Sequence, residues 1–284
     1  MLRVLMVLVS LLFITLSVRA AAEDGAPLAI AGARQYDIVS RINGQIYRLM
    51  VRSVPSTGRV SVIWCVCELT GPRRFSPHFL IGSCEIVAPP HIVVAAGHAA
   101  SYALYQAAHR HGTIERLVLI APTWRGPLPT MMGGQRPWFA RVRVVADHRG
   151  IGPLLYRLNM SRFIVTRMAR EHVYEDPNWL SGDRLSAKLA VTRIPGARHA
   201  SVRFVSGALD RVASRAAFLE LARQADLPML VIYGDQTPPR SRAEMEALAE
   251  VPGAELKLLP HGKLSIHEEF PVSVAGAVRS FLSR

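Results

Sequence analysis

Two β-rich runs, Tyr36 to Arg41 and Ile46 to Val54, flank Asn43-Gly44 near the start of the chain. An Asn-Gly pair between such runs supplies the left-handed positions of a tight hairpin. Pro55-Ser-Thr-Gly58 follows as a turn. Val60 to Cys67 is then mostly apolar, without alternation, as expected of a strand buried on both faces. Residues 68–90 contain Pro72, Pro77, Pro89 and Pro90 and leave room for one short helix around Phe79 to Ile86. Beyond them the pattern becomes regular. Ile92 to Ala96, Arg116 to Ala121, Met229 to Tyr233 and Glu255 to Leu259 read as strands, and Tyr102 to His109, Ser241 to Glu250 and Pro271 to Leu282 as helices. In the last helix Val274, Val278, Phe281 and Leu282 share one face, and Pro271 suits the first turn. Strands alternating with helices predict an α/β fold, a mostly parallel central sheet with helices on both faces.

Between Pro122 and His199 the alternation stops. This stretch is patterned as helices and predicts a cap, residues 123–200, over the carboxyl edge of the sheet. From Thr123 to Ala200 there are 12 Arg and one Lys against five Asp/Glu, so the cap is strongly basic. Trp124, Trp138 and Trp179 with Met131, Met132, Met160 and Met168 either pack the cap internally or line an apolar pocket. Arg141, Arg143, Arg149, Arg157, Arg162, Arg167 and Arg170 either form a solvated surface or attract an anion or a membrane face.

A length of 284 residues fits one α/β domain, 23–284, with this insertion. Half the residues are hydrophobic, enough for a sizeable core. The formal charge of +13 is carried almost wholly by arginine. No basic block interleaved with aromatics and no helix-turn-helix or zinc-finger spacing accompanies it, which argues against nucleic acid as partner. Arg3, the apolar run Val4 to Val18 and Ala20-Ala21-Ala22 make residues 1–22 a signal peptide or membrane anchor, so the protein is expected to be exported or held at a membrane. Cys65, Cys67 and Cys84 do not have zinc-site spacing. They read as buried thiols, or as one Cys84 disulfide with a thiol left over. Neither a metal nor another cofactor is called for.

The run His91-Ile-Val-Val-Ala-Ala-Gly-His-Ala-Ala-Ser-Tyr102 passes from strand to helix through a small-residue turn. Such a turn is where Gly-x-Ser-x-Gly places a strained nucleophile. With Val93-Val-Ala-Ala-Gly-His98, Arg116-Leu-Val-Leu-Ile-Ala-Pro122, Pro228-Met-Leu-Val-Ile-Tyr-Gly-Asp235 and His267-Glu-Glu-Phe-Pro271, in that order, the chain resembles the α/β-hydrolase superfamily over about residues 36–284. The hairpin from Tyr36 to Val54 is similar to the start of bacterial ester-cleaving members that act on siderophores.

That resemblance implies a Ser–acid–His triad, in which serine attacks, histidine takes its proton and the acid orients the imidazole. Counting by the family pattern puts Ala99 in the serine slot, Thr237 in the acid slot and Leu264 in the histidine slot, and none of these can do the work. Ser101, Asp235 and His267 are the nearest replacements, with His261 a second histidine. His98, Ala99, Ser101 and Trp124 are the candidate ligand-contacting residues. Two functions follow from this. One is a protein that has lost the triad and binds a small apolar or anionic ligand, or a partner. The other is an esterase or lipase-like hydrolase using relocated groups.

Overall fold

The computed structural model describes the backbone of strands 34–42, 45–54 and 61–66 and, with side chains, residues 90–193 and 196–284. The targeting segment, the short helix around Phe79, Cys84 and the pairing of the cysteines lie outside the described residues.

Seven strands form one sheet in chain order: β1 (Arg34–Ile42), β2 (Gln45–Val54), β3 (Ser61–Val66), β4 (His91–Ala96), β5 (Ile114–Ile120), β6 (Met229–Gly234) and β7 (Ala254–Leu259). β1 and β2 pair antiparallel with Ile42 opposite Gln45, the register expected of a two-residue connection. β3 joins β2 antiparallel, and from β3 to β7 every pairing is parallel.

A strand's side chains alternate between faces, and here the two sets enter two different cores. Val93, Ala95, Leu117, Leu119, Val231 and Tyr233 pack with Leu104 of helix α1 (Ala99–His109) on one side. Val118, Ile120, Leu230 and Ile232 pack with Val274 and Phe281 of the last helix on the other. β6 is buried along its whole length, which is why it reads as an unbroken apolar run.

The insertion consists of six α-helices between β5 and the next helix against the sheet. They are α2 (Pro127–Met132), α3 (Trp138–Asp147), α4 (Ile151–Asn159), α5 (Arg162–Met168), α6 (Gly182–Thr192) and α7 (Ala197–Val205). They bury small cores of their own, Phe139, Met160, Met168 and Phe204 in one, Val165, Val173, Tyr174 and Leu189 in another. Met160 and Met168 are therefore internal packing of the cap. The chain returns to the sheet with α8 (Arg215–Ala225), capped by the Ser214 hydroxyl accepting from the Ala217 N–H. It ends with α9 (Pro239–Glu246), a short α10 (Ile266–Glu269) and α11 (Pro271–Leu282). The last helix has the bounds its periodicity predicts, with Val274 and Phe281 buried.

Candidate active site at the carboxyl edge of the sheet

β4 ends at Ala96, and the turn into α1 passes through Gly97 at φ 57°. Only glycine adopts this left-handed conformation without a Cβ penalty. The Gly97 peptide is pinned on both sides. Its N–H donates to Ile120 O at 2.8 Å, and its carbonyl accepts from Thr123 N–H at 3.0 Å. The strained position of the turn, the one that holds a nucleophile in the Gly-x-Ser-x-Gly arrangement, is thus Gly97. Ala99, expected there from counting, is the first residue of α1 and is exposed. The small-residue frame that lets helix and strand pack closely is Ala95-x-Gly97-x-Ala99, two positions earlier than the sequence count. Neither glycine nor alanine offers a nucleophile. Across the edge, Ala121 follows β5 at φ 44° with its N–H bonded to Ile232 O at 2.7 Å. A non-glycine residue in this region stores about 1–2 kcal/mol of strain, and such residues cluster at functional sites.

His98, the residue after the apex, is buried. Its Nε2 lies 3.6 Å from Asp210 Oδ1, and its ring meets Phe204 edge-on at 5.2 Å. Burial lowers the His98 pKa to about 4, against a smaller upward effect of the Leu209 carbonyl. Burial likewise raises Asp210 to about 7, opposed by the Gly126 N–H, which donates to Oδ1 at 2.7 Å, and by Gln135 and Arg125. Between about pH 4 and 7 the pair therefore holds one titratable proton, on Asp210, and carries no net charge, and Asp210 ionises as pH rises through 7. Asp210 stands where the chain leaves the cap, 112 positions after His98, and no local pattern announces it.

Beyond β6, Thr237, the residue counted into the acid slot, is buried. Asp235, two residues earlier, bonds Leu259 O through its N–H at 3.0 Å. Beyond β7, Leu264 fills the histidine slot and packs into the core with Val93 and Ala95. His267 sits in α10 with Nε2 4.0 Å from Glu268, its imidazole pushed below the usual range first by burial. His261 is exposed and stacks on Phe270 at 5.4 Å. Ser101 is fully buried, and its hydroxyl donates to His98 O at 2.9 Å within the first turn of α1. The proton a base would take from Ser101 is already held by that carbonyl. Trp124 is 2% exposed, stacks on Phe218, and donates its indole N–H to Glu244 at 3.0 Å. It is a core residue, so the ligand-contact expectation for Trp124 is not met in this arrangement.

Side-chain polar atoms of Thr123, Asp235 and Thr237 are buried at this edge without a protein hydrogen-bond partner. Native interiors leave few such groups, and each asks for an explanation. All three lie on the loops that follow β5 and β6. A groove of about 380 Å³ opens between α2, α8 and α9. Met131, Met132, Arg125, Arg215, Arg240 and Glu244 line it, three guanidinium groups against one carboxylate. Arg125 and Arg215 both reach Glu244, at 2.9 Å each.

The cap is fastened down over the β7 loop by carboxylates whose role the sequence did not reveal. Glu269 accepts from the N–H groups of Glu175 and Asp176 at 2.8 and 2.7 Å. Glu268 accepts from Tyr174 Oη at 2.7 Å and from Lys188 Nζ at 3.0 Å. Lys188 is fully buried; burial lowers its pKa and Glu268 opposes that shift. Locally, Glu268 and Glu269 only place two carboxylates near the N-terminus of the last helix, where its dipole favours them. A hint was available, because Lys188 is one of three lysines in an arginine-rich chain.

The chain has the α/β-hydrolase fold. It is similar to a haloalkane dehalogenase from Agrobacterium tumefaciens, with 15% identity, a TM-score of 0.64, and 89% of this chain and 97% of that chain covered. It is also similar to a thermophilic esterase from Thermogutta terrifontis, with 15% identity, a TM-score of 0.61, and 88% and 98% covered. An epoxide hydrolase shares 14% identity at a TM-score of 0.59, with 88% and 99% covered. No family model and no curated protein sequence matches the chain. Three different reactions on one fold leave the chemistry to be argued from the site itself.

Proposed function

We propose that this protein has lost serine-hydrolase chemistry and uses the carboxyl edge of its sheet to bind a small ligand. The observation that carries this reading is Gly97 at the left-handed position of the strand-to-helix turn, with φ 57° and no side chain. Thr237 and Leu264 agree with it, since threonine brings no negative charge to stabilise an imidazolium and leucine has no group that takes a proton. The buried, unpartnered polar atoms of Thr123, Asp235 and Thr237 favour a site that still meets a ligand. The groove between α2, α8 and α9 adds two methionines and a surplus of guanidinium, which suits an anionic molecule with an apolar body.

The experiment is a fluorophosphonate serine probe together with p-nitrophenyl acetate turnover. The expected result is no labelling, and no turnover beyond the residual about 10³–10⁴-fold acceleration that binding and backbone donors leave when triad members are absent. Labelling at Ser101, with turnover abolished by Ser101→Ala, would establish the relocated-group hydrolase instead. Binding is read separately by native mass spectrometry of the purified protein. A retained small molecule lost in the Arg215→Ala, Arg240→Ala double variant supports the groove as its seat.

A further inference from the structure

α4 exposes an apolar stripe to solvent. Its apolar residues Ile151, Leu154 and Leu158 repeat at helical spacing and are 53%, 61% and 57% exposed. The face it buries carries Gly152, which lies against the Val145 and Ala146 carbonyls of α3, so close that a Cβ there would be 2.2 Å from Ala146 O. That contact places the end of α3 beside the start of α4. Val144 of α3 is 70% exposed and Phe163 of α5, just after α4, is 73% exposed. Three consecutive helices thus each hold large apolar side chains in solvent. Soluble surfaces scatter such residues singly, and a group of them marks an interaction site.

The charge around this ridge has one sign. Arg141, Arg149, Arg157 and Arg162 are exposed on or beside the same helices, and none of the four makes an ion pair among the described residues. From Trp138 to Met168 the only acidic residue is Asp147. Its carboxylate is taken by Arg203 at 2.9 Å and by His199 at 2.5 Å. Apolar residues ringed by arginine, with low net hydrophobicity, is the composition of helices that lie in a lipid headgroup layer. A protein partner would have to match an apolar ridge and four cations together. An anionic bilayer supplies both complements at once, acyl chains for Leu154, Leu158 and Phe163 and phosphates for the guanidinium groups.

We propose that the α3–α4–α5 face of the cap is a docking surface for an anionic lipid bilayer. It acts independently of what occurs at Gly97. The apolar run Val4 to Val18 would supply a second attachment, and stable membrane anchoring generally takes two.

The test is hydrogen–deuterium exchange of the full chain, alone and with vesicles of phosphatidylglycerol and phosphatidylcholine or of phosphatidylcholine only. Peptides over residues 141–163 are expected to exchange about fivefold more slowly with the anionic vesicles. The neutral vesicles should protect less, and raising salt from about 0.1 to about 0.5 M should weaken the effect. Leu154→Glu with Phe163→Glu changes two exposed side chains, so it should fold normally and lose the protection at 141–163. Protection confined to residues 1–33 would overturn the proposal. So would equal protection in the double variant. Protection of 141–163 that grows with protein concentration without lipid would assign the face to a second copy and overturn it as well.

Discussion

A single backbone angle, that of Gly97, carries the proposal that hydrolase chemistry has been lost. Because Gly97 stands at the apex, the turn is built without strain and without a nucleophile. Gly97→Ser puts a hydroxyl at the apex, where the left-handed conformation costs it about 1–2 kcal/mol. We expect this variant to remain inactive on p-nitrophenyl acetate, since a serine without a neighbouring base is a poor nucleophile. Ala99→Ser, on the exposed start of α1, should be inactive too. The triple change Gly97→Ser, Thr237→Asp, Leu264→His restores all three roles in their slots. It should exceed either single variant in ester turnover, at some cost in stability because Leu264 is packed in the core. Turnover by Gly97→Ser alone, lost on adding His267→Ala, would reveal a base already in place.

The His98–Asp210 pair makes a second prediction at this scale. In an unfolded chain aspartate ionises near about 4 and histidine near about 6.5. In the fold Asp210 is raised to about 7, so its contribution to stability is full below its unfolded value and is lost as pH rises through 7. His98 is lowered to about 4, so its contribution is present above its unfolded value and is lost as pH falls to 4. Between about pH 4 and 6.5 the two slopes oppose and cancel. Asp210→Asn removes one of them. The variant should then lose stability relative to wild type on acidification through that window, by up to about 3 kcal/mol. Urea unfolding of both proteins at pH 4.5 and 6.5 measures it, and parallel pH dependences would show that the pair does not share a proton this way.

At the scale of elements, the cap and the last two helices behave as one body because Glu268 and Glu269 join them. Lys188→Met leaves the Glu268 carboxylate, 11% exposed, with the Tyr174 hydroxyl and without its cation. Removing one partner of a buried pair costs about 3–5 kcal/mol, whereas replacing both by apolar groups is often close to neutral. We therefore expect Lys188→Met to lower the melting temperature sharply, and the double variant Lys188→Met, Glu268→Leu to recover a large part of the loss. A double variant no better than the sum of its singles would mean that the pair contributes little coupling.

For the whole molecule, protection should grade from the sheet outward. β5 and β6 lie between two helix layers and are almost entirely buried, so their amides should be the slowest to exchange. α3 and α4, with one and one buried residue respectively, should be the fastest helices in the absence of lipid. Slow exchange in α4 from dilute, lipid-free protein would contradict an exposed ridge.

How much of this was legible in the chain follows the range of the interactions. β4, β6, α11 and the hairpin strands were readable because apolar runs, helical spacing and Asn-Gly act over a few residues. That Thr237 and Leu264 carry no carboxylate and no imidazole was readable as well, since residue identity needs no folding. The exact apex was not, because Gly97 and Ala99 are both small and only the end of β4 and the hydrogen bonds to Ile120 and Thr123 distinguish them. Asp210 beside His98, Lys188 on Glu268 and Glu269 under Glu175 join residues about 80 to 112 positions apart, and a sequence carries no local mark of such pairs. The exposure of α4 was hidden for the same reason: its spacing predicts an apolar stripe, but only the packing of Gly152 against α3 turns that stripe toward solvent. By itself, then, the sequence determined the α/β layering, through local periodicity, and the residue identities on which the proposed loss of the triad rests. Tertiary structure alone decided which residue stands at the apex, what holds the cap and which helix face remains uncovered, because those depend on contacts between distant segments.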